Sequence, residues 1–187
     1  MTGRTSFAAP WAGQLKVMSA LAAALLLAIG VSLQYTSPRI QAGGGGLPVR
    51  LAAIAIWGVL LGAALFTVRG YELTTSELLV QRLLWATRIP LLDLRAAWAD
   101  PAAMKGSLRL FGNGGLFAIS GVFKNRKLGR YRAFATEPKN SVVLELAART
   151  VVVTPDSPQD FLSTLALHSP QARVGARDSE SSREKWQ

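Results

Sequence analysis

The chain has no cysteine, one histidine and no acidic residue before Glu72. Without cysteine there is no disulfide, no thiol nucleophile and no thiolate-bound zinc. That absence says little about compartment, because a cysteine-free chain survives in any redox environment. A single His168 cannot supply the several converging ligands of a metal site, and a catalytic triad would need a positioned nucleophile beside it. It reads as a surface residue at a helix C-terminus, where partial positive charge suits the dipole. Asp93, Asp100, Asp156 and Asp160 are scattered. No catalytic residue, metal or cofactor is therefore expected, and an enzyme is the least supported class.

Charge is also missing where it would be most informative. Residues 1–68 carry only Arg4, Lys16, Arg39 and Arg50. Two apolar stretches, 17–33 and 51–68, are 17 and 18 residues long and free of charge. As helices they would span about 25–27 Å at 1.5 Å per residue, close to a hydrocarbon thickness of about 30 Å. The expected layout is an N-terminal cytoplasmic segment over 1–16 and a first transmembrane helix over 17–33. A short extracytoplasmic loop over 34–50 and a second helix over 51–68 complete a transmembrane hairpin. A cleaved signal peptide competes for the first stretch. The residues after Gly30, Val-Ser-Leu-Gln-Tyr-Thr-Ser-Pro, offer no clean small-residue cleavage site. Neither stretch holds an interior ionisable residue of the kind that marks transport routes, so the pair reads as an anchor.

Two spans put both termini on one side. That side has Arg4, Lys16, Arg69, Arg82 and Arg88 near the helix ends, against Arg39 and Arg50 in the loop. The bias places the termini in the cytoplasm of a multi-pass cell-membrane protein. Trp11, Tyr35 and Tyr71 near the helix ends suit the aromatic belt. Ala20, Ala24 and Ala28 recur every fourth residue, and Gly58 and Gly62 form a G-x-x-x-G. Small residues allow close backbone approach where lipid supplies no hydrophobic drive. The partner for Gly58 and Gly62 is the other helix or another copy.

From Arg69 the pattern changes. Strands are expected at 71–73, 77–82, 85–89, 94–98, 108–111, 121–123, 129–136, 141–147 and 149–154, between ordinary turn signals. Spacing of about ten residues suggests an antiparallel sandwich or small barrel. Ser157-Pro158-Gln159-Asp160 reads as a helix start with Ser at N-cap, Pro at N1 and an acid at N3. Phe161, Leu162 and Leu165 then share one face. The class is α+β, with the domain over 69–168 and a disordered tail over 169–187. Trp85 and Trp98 are expected to fill its core. Arg69-Gly70 would be a short tether.

Several pieces in order carry a resemblance. They are Arg88-Ile89-Pro90-Leu91 before Asp93, Gly112-Asn113-Gly114-Gly115-Leu116-Phe117 before Gly121-Val122-Phe123, the run 128–136, Val142-Val143-Leu144-Glu145, and the run 151–158 leading into Phe161-Leu162. Over residues 71–167 the chain resembles a bacterial pleckstrin-homology-like (PH) domain attached to membrane helices. The resemblance implies a seven-stranded bent β-barrel or sandwich capped by a C-terminal helix. It carries over no catalytic residue.

The net charge of +10 favours anionic surfaces. Its densest part is Lys124, Arg126, Lys127, Arg130 and Arg132, five cations in nine positions. Arg130 and Arg132 share a strand face, being two apart, while 124–127 form a turn. These five are the candidate binding residues for an anionic lipid headgroup, an acidic peptide or a membrane-protein partner. A solvated hairpin on a basic protein is the competing reading. The glycine run 112–115 is a turn, since a phosphate loop would need a Lys-Ser/Thr pair and a following helix. Nucleic acid is not an expected partner, because the alternating basic–aromatic platform of single-strand binders is missing. The reading is a membrane-anchored interaction module. The alternative is a structural subunit assembled, with another protein or as a homo-oligomer, through the hairpin.

Overall fold

A computed structural model describes residues 4–41, 46–114 and 117–175. Two helices, α1 (Gly13–Gln41) and α2 (Gly46–Leu65), lie near its start. Within them Leu15–Leu33 and Gly46–Leu65 are long and apolar enough to cross a membrane. Both helices begin before the apolar stretches read from sequence, and α1 runs on to Gln41, into the expected loop. Helical hydrogen bonding does not need lipid-compatible side chains, so helix ends and apolar ends differ. Gly43, Gly44 and Gly45 of that loop lie outside the described residues. At the other end α2 stops at Leu65, while Val68 is fully buried in the domain that follows.

The helices pack together where Gly30 meets Trp57. A Cβ at Gly30 would lie 3.4 Å from the indole, an ordinary van der Waals contact. Gly58 and Gly62 have nothing within 4 Å of a Cβ. No α1 atom therefore lies within 4 Å of a Cβ at either position.

Among the described residues the strands are β1 (Thr5–Ala8), β2 (Gly70–Leu73), β3 (Glu77–Gln81), β4 (Ala86–Pro90), β5 (Leu94–Ala99), β6 (Leu108–Gly114), β7 (Ile119–Asn125), β8 (Gly129–Ala135), β9 (Val142–Leu146), β10 (Thr150–Val153) and β11 (Arg173–Val174). All nine strands expected from sequence form, with ends shifted by three residues at most. They make one sheet in the order β1-β2-β3-β4 and another in the order β11-β5-β9-β10-β8-β7-β6. Both are open among the described residues, where the resemblance implied a bent barrel. Most pairs are antiparallel, but β10 runs parallel to β8 and β11 parallel to β5. The β8–β9 connection skips a place in the sheet, so β10 returns beside β8 in the same direction.

The main core lies between the two sheets and α3 (Pro158–His168), with Tyr71, Leu73, Val80, Leu144 and Val153 meeting Phe161, Leu162 and Leu165. Pro158 and Asp160 sit in the first turn of α3 as expected, but the Ser157 side chain makes no capping bond. Tyr71, read from sequence as an interface aromatic, is 1% exposed inside this core. A second cluster on the other face of the large sheet holds Trp98, Phe123, Tyr131 and Val152.

Two strands, β1 and β11, were not expected from sequence. β1 precedes α1, and β2 follows α2, yet they pair from Thr5↔Leu73 to Ala8↔Gly70. Arg4 Nε lies 2.9 Å from a Glu72 carboxylate oxygen, reinforcing the pair. A Cβ at Gly70 would meet the Phe7 carbonyl oxygen at 2.9 Å, so only glycine lets the strands close. Arg69-Gly70 is consequently no free tether. Arg69 N–H bonds to the Gln81 carbonyl and Gly70 opens β2. The expected tail is also displaced. Ala172 and Val174 pack on the core and β11 adds to β5, while residues 176–187 lie outside the described ones.

The glycines of the resemblance have a packing role. Gly112 (φ +104°) faces Gly121 across β6 and β7. A Cβ on either would come within 2.4 Å or less of the opposite strand's carbonyl oxygen.

Candidate functional site

The basic residues of the hairpin sit on β7, β8 and the turn between them. Asn125 builds that turn. Its side-chain oxygen accepts from the Lys127 and Leu128 amides at 3.1 and 2.7 Å. Its amide nitrogen donates to the Ala103 carbonyl and the Ser107 hydroxyl at 2.7 and 3.0 Å. This half-turn mimicry is what asparagine does well, and here it also ties the hairpin to the 101–107 loop.

The structure divides the five cations. Lys127 is paired with Asp100, its Nζ 2.5 Å from a carboxylate oxygen. Arg126 is exposed in the turn. Lys124 and Arg130 are directly opposite each other, as are Val122 and Arg132 one step along. Side chains of paired residues share a face, and the face alternates along the strand. Lys124, Arg130 and Arg132 therefore line one exposed face. Arg132 lies over the Phe134 ring, 5.0 Å from its centroid. Like charges directly opposite destabilise a sheet. An anion laid across the face would relieve that repulsion.

The direction of this hairpin follows from two contacts with the first helical segment. Ala12 N–H donates to the Thr136 carbonyl at 3.1 Å. Phe117 N–H donates to Ser19 Oγ at 2.9 Å. From residue 12 to residue 19 a helix advances about 10 Å, so the β6–β7 end runs along α1. The basic turn lies at the other end of β7, about 20 Å away at 3.3 Å per residue.

Sequence reasoning missed a second group. Arg82, counted there as a charge flanking a helix, is 6% exposed. Its Nη1 donates to the Phe66 carbonyl at 2.6 Å, just past the end of α2. Its Nη2 donates to Ser120 Oγ at 3.0 Å and its Nε to Thr87 Oγ1 at 3.2 Å. The guanidinium carbon stands 5.2, 6.0 and 5.3 Å from the rings of Phe66, Trp85 and Phe134. Burial pushes its pKa below the usual arginine value, and the like charge of Arg132 adds to that. One side chain thus joins α2, the small sheet and the large sheet. No residue-local signal marks this, since only the fold brings residues 66, 87, 120 and 134 together.

Beside it runs a groove of about 440 Å³ lined by Trp11, Ala64, Thr67, Arg69 and Leu83. Among the described residues no three His, Asp or Glu side chains are grouped to hold a metal ion.

Residues 69–169 match the family model described as the bacterial PH domain. The chain belongs to the bacterial PH domain family. The match covers more than half of the protein and takes in β2 through α3. No curated protein and no solved structure matches the chain. PH domains are in general interaction modules and not catalysts. The two sheets with a C-terminal helix are the expected α+β architecture of a PH domain, preceded by two apolar helices.

Proposed function

We propose that this protein is a membrane-anchored, non-enzymatic interaction module. The helical hairpin holds the PH domain at the cytoplasmic face of the cell membrane, and the β7–β8 face of the domain takes an acidic segment of a protein partner. The observation that carries this reading is the alignment of Lys124, Arg130 and Arg132 on one exposed face, which runs from the basic turn back to the middle of β8. Lys124 stands about 17 Å along β7 from Ile119, while Arg132 stands only about 10 Å along β8 from Ala135. Lys124 and Arg130, farthest from the helices, are open to an acidic protein segment, and a lipid headgroup is the competing occupant of the face.

The test is crosslinking of the full chain in its own membrane, against the double variant Arg130→Glu, Arg132→Glu. Exposed ion pairs are worth up to about 1 kcal/mol each, so reversing two charges should weaken the complex on the order of tenfold or more. The protein adduct should fall accordingly while membrane insertion is unchanged. An unchanged adduct would sink the reading, and a change confined to phospholipid adducts would return the site to lipid.

A structural subunit assembled through the hairpin is the second reading. The open face at Gly58 and Gly62 favours it, because α1 does not occupy that face. In that case Gly62→Ile would disrupt co-purification of the complex, and Arg130→Glu with Arg132→Glu would not.

A further inference from the structure

The turn between β3 and β4 exposes three consecutive apolar side chains. It reads Arg82-Leu83-Leu84-Trp85. Leu83 is 47% exposed, Leu84 74% and Trp85 39%. Trp85, expected from sequence to fill a core, instead stands at the surface in edge-to-face contact with Phe66, centroids 5.1 Å apart. Phe66 is itself 49% exposed and follows α2 directly. Four large apolar side chains therefore form one uncovered patch, continuous with the apolar helix.

The height of this patch relative to α2 can be read from its neighbours. Leu83 shares a groove with Ala64, which lies inside the apolar stretch Gly46–Leu65. The turn therefore does not hang below the end of the helix. It reaches back alongside its last turn. The β6–β7 connection does the same on α1, where Phe117 N–H bonds to Ser19 within Leu15–Leu33, and the Phe117 ring lies 6.3 Å from that of Trp11. Two separate parts of the PH domain thus rise to the level of the apolar helices.

The turn is also held stiffly. Arg82 N–H bonds to the Trp85 carbonyl, closing it. The Arg82 side chain fastens it to Phe66, Thr87 and Ser120. A rigid apolar turn loses little conformational freedom when it enters lipid. Leucines with a tryptophan suit the headgroup–acyl boundary, where an indole keeps its N–H wet and its ring dry. Arg69 on the wall of the neighbouring groove adds a cation at the same level.

We infer that the β3–β4 turn is a membrane wedge: Leu83, Leu84 and Trp85 are embedded in the lipid interface beside the end of α2. The occupant of the patch is the bilayer itself. The wedge fixes the rotation of the PH domain on its anchor, so that Lys124 and Arg130 at the far end of the hairpin are presented away from the lipid. This inference rests on the reading of α1 and α2 as a membrane anchor.

The chain has no cysteine, so a single introduced one can be labelled uniquely. The full chain is reconstituted in vesicles of phosphatidylethanolamine and phosphatidylglycerol, with an environment-sensitive fluorophore at Leu84→Cys, Val59→Cys or Arg126→Cys. Lipids carrying nitroxides at different depths serve as quenchers. All three positions are exposed, so the substitutions leave the core intact. The Leu84 label should lie about 5–10 Å below the headgroup boundary, as interfacial apolar groups do. The Val59 label should lie deeper and the Arg126 label outside quenching range. A quenched Val59 label with Leu84 no more quenched than Arg126 overturns the wedge and leaves the anchor standing. An unquenched Val59 label overturns both.

Discussion

Replacing Arg82 by alanine is expected to destabilise the protein by about 3–5 kcal/mol, from lost charge-assisted hydrogen bonds and cation–π contacts. The side chain donates to Phe66, Thr87 and Ser120 and faces three aromatic rings. All of these groups are left facing a void once it is gone. Arg82→Lys keeps the charge but not the planar fork, so it cannot serve three acceptors in three directions and should lose about half as much. Arg82→Met fills the volume without donors and separates packing from hydrogen bonding. Thermal unfolding of the detergent-solubilised chain measures the loss. Trypsin cleavage after Arg69 measures opening of the junction between α2 and β2, which should rise in the same order. An alanine variant that melts with the parent and resists trypsin equally would show that the Arg82 bonds carry no net stability.

Tyr71→Ala should cost about 3–5 kcal/mol, as loss of a large buried aromatic does. Tyr71→Phe dissects the polar part. The Tyr71 hydroxyl donates to the Phe134 carbonyl at 2.6 Å and accepts from the Thr154 amide at 3.1 Å. The same Thr154 hydroxyl accepts from the Thr136 amide at 2.9 Å. This knot links the small sheet to β8 and β10 inside the core. Phenylalanine removes the acceptor of the buried Thr154 amide, at about 1–3 kcal/mol.

A pH dependence accompanies it. Burial pushes the Tyr71 phenol up to about 12, against the lowering effect of Thr154 and the nearby Arg82. The unfolded phenol ionises near 10, so between about pH 10 and 12 the folded state holds a proton that the unfolded state has released. Stability from this group is complete below pH 10 and falls as pH rises through 12. The total is on the order of 2–3 kcal/mol for a shift of about two units. Tyr131, also raised by burial, adds a smaller slope of the same sign. Melting temperature against pH should therefore fall less steeply above pH 10 in Tyr71→Phe than in the parent. Parallel curves would remove Tyr71 from the account.

The sequence by itself determined what depends on neighbours along the chain. Both apolar helices, nine strands and α3 follow from runs of like side chains and from turn residues within a few positions of each other. So does the PH resemblance, which is an order of such pieces. The concentration of cations at 124–132 was legible for the same reason, but not its division. Asp100 takes Lys127, and strand register selects Lys124, Arg130 and Arg132 for one face.

Tertiary structure alone decided what depends on residues far apart. β1 (Thr-Ser-Phe-Ala) carries little β-strand pattern and β11 has two residues, and both add to edges that β2 and β5 offer. Arg82 and Tyr71 look from sequence like flanking charge and interface aromatic. The fold buries both, because only residues 66–69 separate α2 from β2 and hold the small sheet up against the helix end. Trp85 went the opposite way, from expected core to exposed rim. Hydrophobicity tells whether a side chain avoids water. It does not tell whether protein or lipid will cover it, and that is settled by which distant segments reach the same place.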